Sequence, residues 1–441
     1  MTDLVAFIHN TRYEDLPDQA ASDVLRGLTD TLGVAIAASR TELSRIIRDH
    51  AAMMFGAKPH LSAMLWQDGR LVSPAGAALA NAMTTDALDA HDGSKPTKGH
   101  VGCGVVAAAL ATSGDCDGPE LLARIAVGYE VGTRAGIALH STACDYHTSG
   151  AWIALATAAI GARALRLDPD ATRHALGIAE YHGPRSQMMR CIDHPTMVKD
   201  GSGWGAMAGI SAAYLAGSGF TGAPAVTTEA MEVSDIWCDL AKRWYVSEQY
   251  IKLYPVCRWA QPPVEAALHL LRTHNVAGDR VASVQVETFH EATRLTAIPK
   301  TTEEAQYSLP FSVAAAILRG TIGAKEVGPD GLSDPAIRNL AQRVTMAERQ
   351  DFNEAFPARR FARVHLTLMD GTLLSSDAVE AQGDPEDRLG EDVINAKFTA
   401  LAEPVLGAAR TQVLRANIDA LPKAGTDDVI ALGDLMGASG R

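Results

Sequence analysis

Aromatic residues are scarce in this chain, 5% of 441 positions. With few large rings, the core must close with small side chains, so closely approaching helices are expected. Basic residues are also in deficit: 39 Lys and Arg against 52 Asp and Glu leave a formal net charge of −13. That balance argues against a nucleic-acid partner, which selects a basic face. A small anionic substrate stays open, because a few cations can dominate one cleft. The six cysteines, at 103, 116, 144, 191, 238 and 257, make no C-x-x-C pair and no zinc-ligand spacing. The opening MTDLVAFIHNTRYEDL has no leader pattern, and together with the cysteine usage this gives a cytoplasmic expectation. The longest uncharged stretch, 201–228, is broken by glycines, Ser, Thr and Pro224. It reads as a buried helix with its exit loop, not a membrane span. Walker A, H-E-x-x-H and G-x-S-x-G motifs are absent. The histidines at 91, 100, 140, 147, 182 and 194 match no ligand pair of helical spacing, so no metal and no cofactor are expected.

What is present is mostly helical in texture. Residues 22–38 place Leu25, Leu28, Leu32 and Ile36 near helical spacing. Segments 75–90, 101–112, 120–139 and 203–217 read as further helices, and 150–165 is apolar almost all round, as a core helix is. Asp168-Pro169 and Asp334-Pro335 both open helices, Asp as N-cap and Pro at the first helical position. After residue 275 the texture changes. VASVQVETF (281–289) alternates as a half-buried strand, and 363–379 reads as a hairpin with Asp370-Gly371 as a two-residue turn. The acidic stretch 378–392 reads as a solvated loop, and 390–415 returns to helix. The predicted fold class is therefore mostly α: a large all-helical domain (1–260 plus 396–441) with an inserted smaller α+β lid domain (261–395).

Four constellations stand out. In DALDAHDGSKPTKGHVGCG (86–104), titratable Asp89, His91, Asp92 and His100 sit between two apolar, Ala-rich stretches. Unpaired buried charge is expensive, so such an island requires a partner or a ligand. Asp92 can orient His100 as an acid–base pair; helix capping with a surface histidine is the plainer alternative. In CDYHTSGAW (144–152), Tyr146 and His147 precede an apolar helix whose N-terminus favours a carboxylate, with Thr148 or Ser149 as N-cap. Lys199 precedes the glycine-rich start of another helix, where it can meet an anion or simply be solvated. The run Gly201–Ala206 imitates a dinucleotide fingerprint, but no good strand precedes it. In YIKLYPVCRWAQPP (250–263), Lys252 and Arg258 flank Tyr254-Pro255 near the expected domain junction, where clefts form. They suit a multiply charged acid, or else serve as cations in a crossing loop.

Taken in order, these stretches resemble the MmgE/PrpD family over most of the chain. The resemblance rests on AGAALANAMTTDALDAHD (75–92), KGHVG (98–102), AVGYEVGTRAGIAL (126–139), YHTSGAWIALATAAIGA (146–162), Lys199, IKLYPVCRW (251–259) and AQYSLPFSVAAAI (305–317). Three positions depart from it: His91 stands where the family carries an acid, Val101 where it carries Pro, and Cys257 where some members carry His. The resemblance implies a helical domain with an α+β lid, a homodimer, and no required metal or organic cofactor. It also implies a small polycarboxylate substrate, as in dehydration of 2-methylcitrate, decarboxylation of cis-aconitate or epimerisation of iminodisuccinate. The leading expectation is a hydro-lyase acting by proton abstraction next to a carboxylate. A dicarboxylate epimerase or isomerase, a cis-aconitate decarboxylase-like enzyme and an inactive metabolite-binding dimer are the alternatives. For that chemistry Lys199, Lys252, Arg258 and Lys98 are the expected anion ligands. His100 and His147 are the acid and base, Asp92 orients His100, and Tyr146 donates a hydrogen bond or proton.

Overall fold

Helix Gly150–Ala164 is buried along almost its whole length and forms the axis of the helical body. Around it in the computed structural model, which describes residues 3–58 and 60–437, pack Gly102–Ala111, Gly118–Thr142, Pro169–His182 and Ser202–Gly217. The scarcity of aromatics is answered by close approach. A Cβ on Gly209 would lie 2.1 Å from Thr157 Oγ1 and 2.2 Å from Ala154 O, so Ser202–Gly217 runs almost backbone-to-backbone against the central helix. Asp168 and Asp334 cap their helices with Pro in the first turn, as their sequence predicts.

Among the described residues there are six short strands in chain order: β1 (Ala63–Met64), β2 (Leu71–Val72), β3 (Val281–Thr288), β4 (Val344–Glu348), β5 (Ala362–Leu368) and β6 (Leu373–Ser375). The last four make one sheet in the order β4-β3-β5-β6, with β3–β4 parallel and the other two pairs antiparallel. Strand β5 alternates strictly, turning Ala362, Val364, Leu366 and Leu368 inward. Helices Gln261–Thr273 and Leu309–Arg319 pack against this sheet.

Two large hydrophobic clusters result among the described residues, beside a small one of Ile251, Leu389 and Ile394. One fills the helical body and includes Phe398, Leu414 and Leu432 from the C-terminal helices Glu391–Leu406, Ala408–Ala420 and Thr426–Gly437. The other unites the sheet with Val34, Leu79 and Met83 of helices Asp18–Ala38 and Pro74–Asp86. Among the described residues no helix is long and apolar enough to cross a membrane.

Three local expectations are corrected. The β5–β6 connection is longer than two residues: Leu368 N–H donates to Thr372 O, and Gly371 takes a left-handed φ of 85°. Segment 378–392 is not simply solvated, because Ala381, Asp384 and Leu389 are buried and Asp384 Oδ1 accepts from Arg258 at 2.6 Å. The third C-terminal helix lies beyond the helical texture read at 390–415.

The close helix pair makes a direct prediction. Alanine outranks glycine in helix propensity, yet Gly209→Ala is expected to destabilise the protein by about 1–3 kcal/mol through overpacking. Thermal unfolding tests this, and an unchanged or raised Tm would show that the contact tolerates a methyl group.

Candidate active site

The polar loop 87–101 is held in an unusual backbone path. Asp89 and Lys98 adopt left-handed φ angles of 53° and 52°, and Lys199, which approaches from another loop, has 47°. Such conformations in residues other than glycine each cost on the order of 1–3 kcal/mol and persist where surrounding structure imposes them. Gly93 is required by close approach: a Cβ there would lie 2.4 Å from Tyr250 Oη and 2.8 Å from His100 Nδ1. The loop is thus pressed between the helical body and the 250–260 segment.

His100 is fixed from three sides. Its Nδ1 donates to the main-chain oxygen of Asp92, its N–H donates to Ser149 Oγ at 2.9 Å, and its carbonyl accepts from Trp152 Nε1 at 2.9 Å. A carbonyl only accepts, so Nδ1 carries the hydrogen and Nε2 is left with its lone pair. Asp92 therefore orients His100, but through its backbone; its carboxylate accepts instead from Tyr129 Oη. His100 Nε2 faces Asp200 Oδ2 at 3.8 Å, and Ser149 Oγ donates to that same oxygen at 2.8 Å. Ser149 occupies the N-cap position of the central helix without capping it, because its hydroxyl serves this network. His91 lies edge-on to His100 with ring centroids 4.5 Å apart, and His91 Nε2 is 3.3 Å from Asp86 Oδ1.

Burial and charge push these groups apart. Burial, with help from Lys252 and His91, holds the His100 imidazole well below its ordinary value. Burial, reinforced by the nearby Asp86 carboxylate, raises Asp200 to about 7. Burial also raises Asp92 to about 6, against the hydrogen bond from Tyr129. For Asp86 burial acts upward, but the His91 hydrogen bond and the charges of His91 and Lys199 outweigh it and keep the carboxyl well below the usual range. A neutral imidazole beside a protonated carboxyl is a base and an acid in one place.

The cations divide into engaged and available. Lys252 Nζ donates to Asp89 Oδ1 at 2.8 Å and Asp89 O at 3.0 Å; against the cost of burial, Asp89 and Tyr250 raise its value. Arg258 donates to Asp384 Oδ1 at 2.6 Å, to Gln382 O at 2.9 Å and to Ala381 O at 3.0 Å. Lys199 is different: its Nζ donates to the neutral Gln306 Oε1 and lies 4.8 Å from the centre of the Tyr307 ring. Lys199 also lines a cleft of about 490 Å³ together with Thr148, Ser186, Cys191 and Trp204. Tyr146 Oη donates to Lys98 O, while Lys98 Nζ sits 4.6 Å over the Tyr146 ring. His147 stands apart from the His100 cluster. Its Nε2 is 3.0 Å from Asp145 Oδ1, and its backbone N–H donates to His140 Nε2 at 3.2 Å.

Comparison with known proteins now bears on this geometry. Residues 2–242 match the MmgE/PrpD N-terminal domain and residues 254–421 the MmgE/PrpD C-terminal domain. The chain belongs to the MmgE/PrpD family. Relatives include the cis-aconitate decarboxylase-like protein oryM of Aspergillus oryzae, 22% identical over 358 residues that cover 71% of each chain. The cis-aconitate decarboxylase of Aspergillus terreus is 23% identical over 386 residues, 78% of each chain.

In this MmgE/PrpD protein several site residues escaped sequence reasoning. Asp200 directly follows Lys199, and Gln306-Tyr307 lie inside a stretch already noted, so adjacency was an available signal. Nothing local marks Lys397, whose Nζ reaches Asp30 Oδ1 at 2.5 Å and Ala90 O at 2.8 Å from the far end of the chain. Asp86, Asp89 and His91 each offer one ligand atom within 4.8 Å of the others, a set able to hold a metal ion. Those donors already face cations of the protein itself, since Lys252 occupies Asp89, and Lys199 and His91 lower Asp86.

Two outcomes follow for stability. The Asp200 carboxyl titrates higher folded than unfolded, so its contribution is complete below about pH 4 and is lost as pH rises through about 7. Asp200→Asn should accordingly flatten the decline of Tm between pH 4 and 8 relative to wild type; an identical slope would contradict the assignment. Arg258→Gln breaks a buried pair and should cost about 3–5 kcal/mol of stability. A variant of wild-type stability with only a raised KM would return Arg258 to the substrate.

Proposed function

We propose that this protein is a lyase that acts on a small di- or tricarboxylate, breaking a bond at the carbon next to a carboxylate without an organic cofactor. The observation that carries the reading is the adjacency of His100 Nε2, a neutral base with its tautomer set by Asp92 O, to Asp200, a carboxyl that burial keeps protonated to about pH 7. Lys199, whose hydrogen-bond partner is a neutral amide, supplies the positive charge that a carboxylate and a developing enolate need.

In the dehydration form, His100 Nε2 takes the proton from the carbon, the electron pair forms the double bond, and the hydroxyl leaves with the proton of Asp200 as water. The proton on His100 then returns to Asp200 across the 3.8 Å gap, which restores both groups. In the decarboxylation form, carbon dioxide departs, and the carbanion takes a proton from Asp200 that solvent replaces. Resemblance to the Aspergillus cis-aconitate decarboxylase and its decarboxylase-like relative favours this second form. Both forms use the Lys199 clamp and the Asp200 acid, and the dehydration form also uses His100 as its base. His147, beside Asp145, provides a second acid–base group, and segment 261–395, which carries Gln306 and Tyr307 onto Lys199, acts as a lid.

Proton NMR in D2O over citrate, 2-methylcitrate, isocitrate, cis-aconitate and malate tests the proposal. A new olefinic signal identifies dehydration, loss of a carboxyl with deuterium uptake identifies decarboxylation, and exchange alone identifies epimerisation. With the reactive acid in hand, His100→Gln should lower kcat by about 10²–10⁴-fold, and Lys199→Met should abolish turnover in a folded protein. Near-normal rates in both variants would remove the mechanism.

A further inference from the structure

Sequence reasoning assigned a second anion ligand to Arg258 or Lys252, and both are consumed by internal carboxylates. One buried guanidinium is not. Arg360, two residues before β5, is 4% exposed, yet its Nε and Nη2 have no hydrogen-bond partner among the described residues. Its backbone N–H donates to Glu380 Oε1 at 3.2 Å, but Arg359 holds the other oxygen of that carboxylate, at 3.0 Å. The guanidinium carbon lies 5.6 Å from the centre of the Tyr250 ring and the guanidinium also hydrogen-bonds the Tyr250 hydroxyl, which leaves Nε and Nη2 unmet; the Tyr250 and His100 rings pack T-shaped with centroids 6.4 Å apart. The charge of Arg360 also acts on Lys98 and Tyr146. Arg360 therefore stands one aromatic ring from the proposed base.

Burying an uncompensated guanidinium is costly, and the cost is met when an anion is bound beside it. The two free atoms are also informative. Nε and Nη2 form the side-on edge of the guanidinium, the pair that receives both oxygens of one carboxylate. The same edge is used internally where Arg349 meets Asp351 with both contacts at 2.9 Å.

We propose that Arg360 is a specificity-determining ligand for a second carboxylate of the substrate, distinct from the carboxylate held by Lys199. The inference rests on the polycarboxylate reading above and narrows it: the substrate carries at least two separated carboxylates, and a monocarboxylate is rejected because it leaves Arg360 buried and unmet.

The test measures binding of succinate, glutarate, tricarballylate and butyrate by calorimetry to wild type, Arg360→Gln and Arg360→Lys, with Tm recorded without ligand. Wild type should bind its best di- or tricarboxylate at least about 10-fold more tightly than butyrate. Arg360→Gln should weaken that acid by about 10²-fold, leave butyrate unchanged, and unfold at the same temperature or higher, because an unpaired buried charge has been removed. Arg360→Lys should fall between, keeping charge but losing the fork. With the reactive acid the Gln variant should raise KM more than it lowers kcat. Equal affinities in wild type and Arg360→Gln, a loss of folding in Arg360→Gln, or wild-type affinity in Arg360→Lys would overturn the role of Arg360 alone. Failure of wild type to bind any of the acids would overturn the proposed function and this inference with it.

Discussion

Lys252 and Asp89 meet 2.8 Å apart where neither side chain reaches water, and the rest of the site is arranged around that pair. Lys252 comes from the segment that leads toward the sheet, and Asp89 from the loop leaving helix Pro74–Asp86. Their union ties the 250–260 segment to the loop that leaves helix Pro74–Asp86. A buried ion pair seldom adds net stability over apolar packing, but loss of one partner strands the other, so the pair acts as a registration device. Its geometry depends on a left-handed Asp89, and this places both the side-chain and main-chain oxygens of that residue on one ammonium group.

The electrostatic arrangement around this pair separates charges that meet a carboxylate from charges that do not. Lys252, Arg258 and Lys397 are each matched by a carboxylate within hydrogen-bond distance. Lys199 and Arg360 are buried without one. The same division holds for the acids, since Asp86 is stabilised as a carboxylate by His91 whereas Asp200 is held toward its neutral form. Such unmatched groups are the ones that a polycarboxylate of the proposed class would meet.

Much of the architecture was legible in the chain. Helix starts at Asp168-Pro169 and Asp334-Pro335, the apolar all-round pattern of 150–164 and the alternation of β3 and β5 are local signals, set by hydrogen bonding and periodicity over a few residues. The polar island at 86–104 was equally visible, because charge between apolar helices is conspicuous whatever the fold. The misreadings were also local in origin. The acidic stretch at 378–392 looked solvated because composition does not reveal that Asp384 would meet Arg258 from 126 positions away.

By itself the sequence determined the helix-rich class, the family resemblance, the titratable loop and the presence of Lys199 among the small residues that let helices approach. Only the tertiary structure decided which cations meet a carboxylate and which do not, that Asp92 orients His100 through its carbonyl, and that Asp200 and Gln306 stand beside His100 and Lys199. The physical reason is that a charge's role depends on its nearest partner and on its distance from water. Both are fixed by contacts between segments far apart in the chain, as Lys397 and Asp30 show across 367 positions.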